Sequence, residues 1–123
     1  MIQYVTLGTA DLQRAGQFFD ELFSLWGATR VMDTERMIFW MPSDGGPGIA
    51  VCLPHDGNPA SVGNGGMVAL VAESPERVNE IYQKALSLGA SCEGEPGQRL
   101  DSAYAGYFRD LDGNKFNAFC LTI

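Results

Sequence analysis

Tyr4-Val-Thr-Leu-Gly-Thr-Ala-Asp11 alternates apolar and polar positions and then meets an aspartate; Met67-Val-Ala-Leu-Val-Ala-Glu-Ser74 repeats the arrangement and ends on a serine. Alternation of period two marks a strand with one covered face, and Asp or Ser ahead of an apolar-periodic run marks a helix N-cap. The two stretches share a pattern and not a set of identical residues. Two similar halves of roughly 60 residues therefore explain the recurrence better than low complexity does. After Asp11, Leu12, Ala15, Phe18, Phe19, Leu22 and Leu25 keep helical spacing, and Gly27 stands where a left-handed C-cap belongs. After Ser74, Pro75 takes the first helical position, Val78, Ile81, Tyr82, Ala85 and Leu88 form the apolar stripe, and Gly89 ends it.

Short strands follow each helix. The first half predicts strands at 28–33, 37–41 and 48–53, the last two joined by Pro-Ser-Asp-Gly-Gly-Pro at 42–47. The second half predicts a weak edge strand near Ser91, then strands at 104–109 and 115–122 joined by the hairpin turn Asp110-Leu-Asp-Gly-Asn114. The order β-α-β-β-β thus occurs twice, as module 1 at about 1–57 and module 2 at about 64–123 of a single α+β domain. The Pro-, Gly-, Asn- and Ser-rich stretch 54–66 reads as the linker between them.

Composition narrows the function classes. With 8 Lys+Arg against 15 Asp+Glu, the net charge of −7 repels phosphate backbones, so nucleic acid is not an expected partner. No apolar run reaches the roughly 18 residues of a membrane helix, and the start Met-Ile-Gln-Tyr lacks the basic and apolar segments of a secretion signal. The expectation is a cytoplasmic protein without a membrane partner. Cys52, Cys92 and Cys120 have no C-x-x-C spacing, which argues against a disulfide framework and a cysteine-built zinc site. His55 is the one histidine, so two histidines on one metal within one chain are excluded.

Few residues offer chemistry outright. Asp110-Leu-Asp-Gly-Asn lacks the spaced acidic ligands of a calcium loop, and Gly63-Asn-Gly-Gly66 precedes a strand and not a helix, so neither is an ion or phosphate site. Cys52 and Cys120 sit in apolar strands at what look like matching places and read as small buried hydrophobes; His55 reads as a solvated loop residue. Arg99, taken as a loop arginine near Tyr104, suits a carboxylate or planar ligand, and equally a surface ion pair with Asp101 or Glu95. Tyr107 alternates with Phe108, so one faces the helix and the other the opposite side of the sheet.

Two segments carry a family resemblance. Tyr4-Val-Thr-Leu-Gly with Asp-Leu-Gln-Arg-Ala-Gly-Gln-Phe-Phe, and Tyr-Phe-Arg-Asp-Leu-Asp-Gly-Asn-Lys-Phe-Asn near the end, resemble the vicinal oxygen chelate superfamily of glyoxalase, bleomycin-resistance and extradiol dioxygenase proteins. The resemblance covers essentially the whole chain. It implies that the two modules form a curved mixed sheet enclosing a cleft, with the helices on its outer face. In metal-dependent members a histidine on the first strand and a glutamate on the last strand of each module hold a divalent ion. The matching positions here are Tyr4 and Met67 for the histidines, Asn117 for one glutamate and about Ile49 for the other. A phenol, a thioether, an amide and an alkyl group make a poor set for a hard divalent cation, so no metal and no cofactor is expected.

The resemblance then implies a cleft that binds a small amphipathic or aromatic molecule, lined by Tyr4, Met67, Tyr107 and Asn117 together with Cys52, Tyr104 and Arg99. The alternative is a glyoxalase-like lyase or isomerase acting on a small oxygenated or thiol-conjugated substrate, for which no catalytic residue is identified. A scaffold whose cleft has closed over apolar side chains is the third reading. Open sheet edges favour a homodimer.

Overall fold

The structure, a computed structural model, describes residues 1–122. The chain runs β1 (Tyr4–Gly8), α1 (Leu12–Phe23), β2 (Thr29–Asp33), β3 (Met37–Met41), β4 (Gly48–Cys52), β5 (Val68–Val71), α2 (Pro75–Ser87), β6 (Ser91–Arg99), β7 (Ala103–Arg109) and β8 (Lys115–Leu121). Both predicted caps form. The Asp11 carboxylate accepts from the Arg14 amide at 3.0 Å, and the Ser74 hydroxyl accepts from the Arg77 amide at 3.1 Å. Gly27, at φ 65°, closes a 3-10 turn over Ser24–Trp26 that α1 runs into, in the left-handed conformation glycine adopts without strain.

The chain divides into two compact units, the first spanning Met1–Val62 and the second beginning at Gly63. Each holds one four-stranded mixed sheet and one helix. Strand order is β1-β4-β3-β2 in the first and β5-β8-β7-β6 in the second; β1–β4 and β5–β8 are parallel, the other pairs antiparallel. The predicted β-α-β-β-β order is present twice.

The second unit departs from expectation in one element. β6 is a nine-residue strand, not a weak edge segment near Ser91, and its register against β7 shifts around Gly94. Gly94, Pro96 and Gly97 interrupt the apolar alternation that would have revealed it. Arg99 is therefore the last residue of a strand and not a loop arginine.

In the first unit α1 buries Ala15, Phe18, Phe19, Leu22 and Phe23. Trp40 of β3 packs against Phe19 and Phe23, with ring centroids at 5.7 and 5.6 Å. In the second, α2 buries Val78, Ile81, Tyr82 and Ala85, and the cross-strand partners Phe108 and Phe116 stack at 5.6 Å. Each of these large side chains contributes about 1.5–3 kcal/mol on leaving water.

A polar clamp fixes α1 to its sheet. The Asp20 carboxylate accepts from Trp40 Nε1 at 2.9 Å and from Arg30 Nε and Nη2 at 2.8 Å each, while Arg30 Nη1 donates to Asp33 at 2.8 Å. Burial alone would raise the Asp20 pKa; the hydrogen bonds from Arg30 and Trp40 outweigh it and hold the carboxyl below its ordinary value. Asp110 shows the opposite balance. It ties the β7–β8 turn by accepting from the Asp112 and Asn114 amides and from Asn114 Nδ2, yet its burial outweighs those bonds and raises its pKa.

The two carboxyls therefore give opposite pH dependences. Asp20 contributes stability above its unfolded pKa, lost as pH falls through the lowered folded value; Asp110 contributes below its unfolded pKa, lost as pH rises through the raised one. Asp20→Asn is expected to lower stability at pH 7 by about 1 kcal/mol, a figure already discounted for solvent screening, and to flatten the acid-side loss. Urea unfolding between pH 3 and 7 checks this; an unchanged acid limb would show that the clamp is energetically silent.

Candidate functional site

Each sheet has one helix, so one face of each is covered by it and the other is not. Trp40 and Ile38 point to α1, and their partners Ile49 and Val51 share that side. The helix-free face of the first sheet therefore carries Tyr4, Thr6, Met37, Phe39, Ala50 and Cys52. By the same registers, Phe108, Phe116, Ala118 and Tyr104 lie on the α2 side, and Arg99, Tyr107, Lys115 and Asn117 on the helix-free face of the second sheet.

Register corrects three placements. The position equivalent to Asn117 is Ala50 and not Ile49: Ala69 pairs with Asn117 as Thr6 pairs with Ala50, and Ile49 faces α1. Tyr104 faces α2, where its hydroxyl meets Asn79 Oδ1 at 3.0 Å, so it does not share a face with Tyr107. Cys52 and Cys120 are not equivalent either; Cys52 lies on a helix-free face, whereas Cys120 is buried opposite Tyr104 on the helix side.

The remaining site residues fall into two local groups. In the first unit, Tyr4 is 51% exposed and meets Phe39 edge-on at 5.2 Å. Phe39 finds room because Gly48 stands beside it: a Cβ there would lie 2.8 Å from its ring and 2.5 Å from the Trp40 carbonyl oxygen. Cys52 is partly exposed on the same face. In the second unit, Met67 precedes β5 and is 46% exposed. Tyr107 and Asn117 are direct cross-strand partners. Arg99 Cζ lies 5.5 Å and Lys115 Nζ 5.7 Å from the Tyr107 ring centroid. Asn117 is only 2% exposed, and its buried Oδ1 has no hydrogen-bond partner.

Sequence reasoning missed Phe39 and Lys115. The signal was available: Phe39 alternates with Ile38 and Trp40, and Lys115 is two residues before Asn117 and so on its face.

The metal that the resemblance implies has no suitable seat. The first unit offers Tyr4 and Ala50 at the equivalent positions, the second Met67 and Asn117. Neither half supplies an imidazole or a carboxylate there, and among the described residues no three His, Cys, Asp or Glu side chains assemble into a ligand group. A neutral amide oxygen, a phenol and a thioether do not offset the dehydration of a hard divalent ion.

A model of the glyoxalase/bleomycin resistance protein/dioxygenase superfamily matches residues 1–118. Among solved structures, the chain is similar to a glyoxalase/bleomycin resistance protein from Albidiferax ferrireducens T118, at 30% identity over 98% of both chains with a TM-score of 0.88. A lactoylglutathione lyase from Agrobacterium tumefaciens is 20% identical over 97% of this chain and 92% of that one, with a TM-score of 0.73. A fosfomycin resistance protein from Listeria monocytogenes is 18% identical over 98% and 92%, with a TM-score of 0.74. These last two likenesses concern the fold alone. The search of curated proteins found no match.

An unpartnered buried amide oxygen costs roughly 1–3 kcal/mol. Asn117→Leu, close in volume, is expected to raise the unfolding free energy by about 1 kcal/mol, measured by chemical denaturation. A loss of stability instead would mean that the amide has partners in solution and is a structural group.

Proposed function

The chain belongs to the glyoxalase/bleomycin resistance protein/dioxygenase superfamily, and from that premise we propose that it binds a small amphipathic or aromatic molecule on a helix-free sheet face, without a divalent metal. The observation that carries this reading is Tyr4. It stands at a metal-ligand position of the family resemblance, half exposed, with its ring packed edge-on to Phe39 at 5.2 Å. The phenol brings an apolar face and a polar tip to the place where a charged ion would otherwise organise the site, and that pairing of properties suits an amphipathic ligand. Calorimetric titration with indole and 1-naphthol in the presence of EDTA tests it. Saturable binding that Tyr4→Ala weakens by about tenfold is expected, a loss of about 1.4 kcal/mol. No binding by either compound, or binding abolished by EDTA, would overturn it.

The protein is proposed to act as a homodimer. Among the described residues, β1 and β2 are the outer strands of the first sheet and β5 and β6 those of the second. Along β5 and the end of β8, Val71 is 72% and Leu121 62% exposed, bordering a shallow depression of about 360 Å³. Apolar sheet edges of this kind are normally covered. Light scattering is expected to give twice the 13.3 kDa chain mass, and Val71→Lys to shift the population towards single chains. A single-chain mass at all concentrations would refute the dimer.

A further inference from the structure

The chain is acidic overall, and three of its arginines are held in ion pairs. Arg30 pairs with Asp20 and Asp33, Arg77 with Glu80, and Arg109 with Glu93. Arg99 and Lys115, like Arg36, have no carboxylate partner among the described residues, and unlike Arg36 they share one aromatic ring. Asp101 and Glu95, the two candidates close to Arg99 in sequence, do not pair with it; Arg99 Nη2 donates to the Glu95 backbone carbonyl at 2.7 Å and Nη1 to the Gln98 carbonyl at 3.3 Å. Two of its five N–H donors are thus occupied and the guanidinium is held in place.

Both cations converge on one aromatic ring, at 5.5 and 5.7 Å from the Tyr107 centroid. Arg99 reaches the ring from β6 and Lys115 from β8, the two strands that flank β7, and the ring's negative face favours each cation there. Glu93, next to Gly94 in β6, is already bound by Arg109. The backbone makes room for the arrangement. A Cβ on Gly97 would stand 2.9 Å from Arg99 Nη1, and one on Gly94 would stand 3.2 Å from Tyr107 Cδ1 and 3.6 Å from Arg99 Nη2. Directly across from Tyr107 lies Asn117, nine-tenths buried and more, with an acceptor that nothing in the structure satisfies.

We propose that Arg99, Lys115 and Asn117, around Tyr107 on the helix-free face of the second sheet, recognise the polar end of a small aromatic ligand: an oxyanion, carboxylate or phosphate, set beside a hydrogen-bond donor such as a hydroxyl. The guanidinium fork takes the oxyanion, the ammonium adds positive charge beside the same ring, and Asn117 Oδ1 accepts from the donor. Tyr107 seats the cations. The inference rests on the ligand-binding reading above and adds the chemical class.

Titration calorimetry on the full chain with a set of one-ring probes tests it: mandelate, phenylacetate, phenyl phosphate, phenylacetamide and phenethylamine. Mandelate or phenyl phosphate is expected to bind at least tenfold more tightly than phenylacetamide, and which of the two leads tells a carboxylate from a phosphate ligand. Raising salt from about 20 to about 200 mM should weaken the anions several-fold and leave phenylacetamide unmoved. Arg99→Gln and Lys115→Gln should each weaken the anions about tenfold while phenylacetamide stays within twofold, and Arg99→Lys should lose less than Arg99→Gln. Asn117→Ala should abolish the preference for mandelate over phenylacetate. If a variant loses its native circular dichroism, the order of the probes on the unmodified protein and its salt dependence still decide. Anions binding no better than phenylacetamide, or phenethylamine binding best, would overturn the anion site and leave aromatic binding standing. No binding by any of the five would bring down both.

Discussion

A four-stranded sheet has two faces, and each unit of this chain supplies only one helix. That constraint sorts every strand residue. Side chains facing α1 or α2 join an apolar core whose members, Phe19, Trp40, Phe108 and Phe116 among them, are nearly free of solvent contact. Side chains facing the other way receive no cover from a helix, and there the composition changes to Tyr4, Phe39, Cys52, Arg99, Tyr107, Lys115 and Asn117. Because the side-chain period of a strand is two, a residue cannot drift between these roles without a register slip that would exchange the whole set. The site is a consequence of where the helices are absent.

Asn117 is where this sorting leaves a debt in free energy. Asn117, at the centre of β8, is buried although it faces away from α2. The two residues on its own side in the flanking strands are Ala69 and Tyr107. The alanine brings no hydrogen-bonding group, and the tyrosine presents its ring to two cations. A leucine would fill the same space without the penalty. An amide kept at such a position is most simply understood through a partner that arrives from outside the chain. It also separates this protein chemically from metal-dependent relatives: a glutamate there would bring a negative charge for a cation, whereas an amide next to Arg99 and Lys115 leaves the local balance positive.

The architecture was legible in the sequence because its signals are local. Caps at Asp11 and Ser74, Gly27 after the first helix and Asp-Gly-Asn at the last hairpin each act within a few residues, and the repeated order β-α-β-β-β follows from them. The site was legible only in part because faces depend on phase, and phase accumulates error. One residue of uncertainty was enough to exchange Ile49 for Ala50, and assigning Tyr104 to the face of Tyr107 ignored that three positions separate them, an odd number. β6 hid for another reason. Gly94, Pro96 and Gly97 suppress the apolar alternation, yet the two glycines give the Arg99 guanidinium its room. Residues that weakened the strand signal are the ones that shape the site.

Charge resolves the remaining tension between an acidic protein and an anionic ligand. The net −7 is a sum over the whole surface, and in physiological salt such a field fades over roughly 8 Å. It slows the approach of an anion modestly and says little about binding once the anion is within contact distance. There, the interaction is set by the two cations beside Tyr107 and by the low dielectric that a half-buried ring and a buried amide create around them. The surrounding negative charge also has a use. It discourages polyanions, which must bring many charges close to the surface, far more than it discourages a small molecule carrying one oxyanion group. Long-range repulsion and local attraction together select for ligand size as well as sign, a discrimination that neither the aromatic rings nor the cations provide alone.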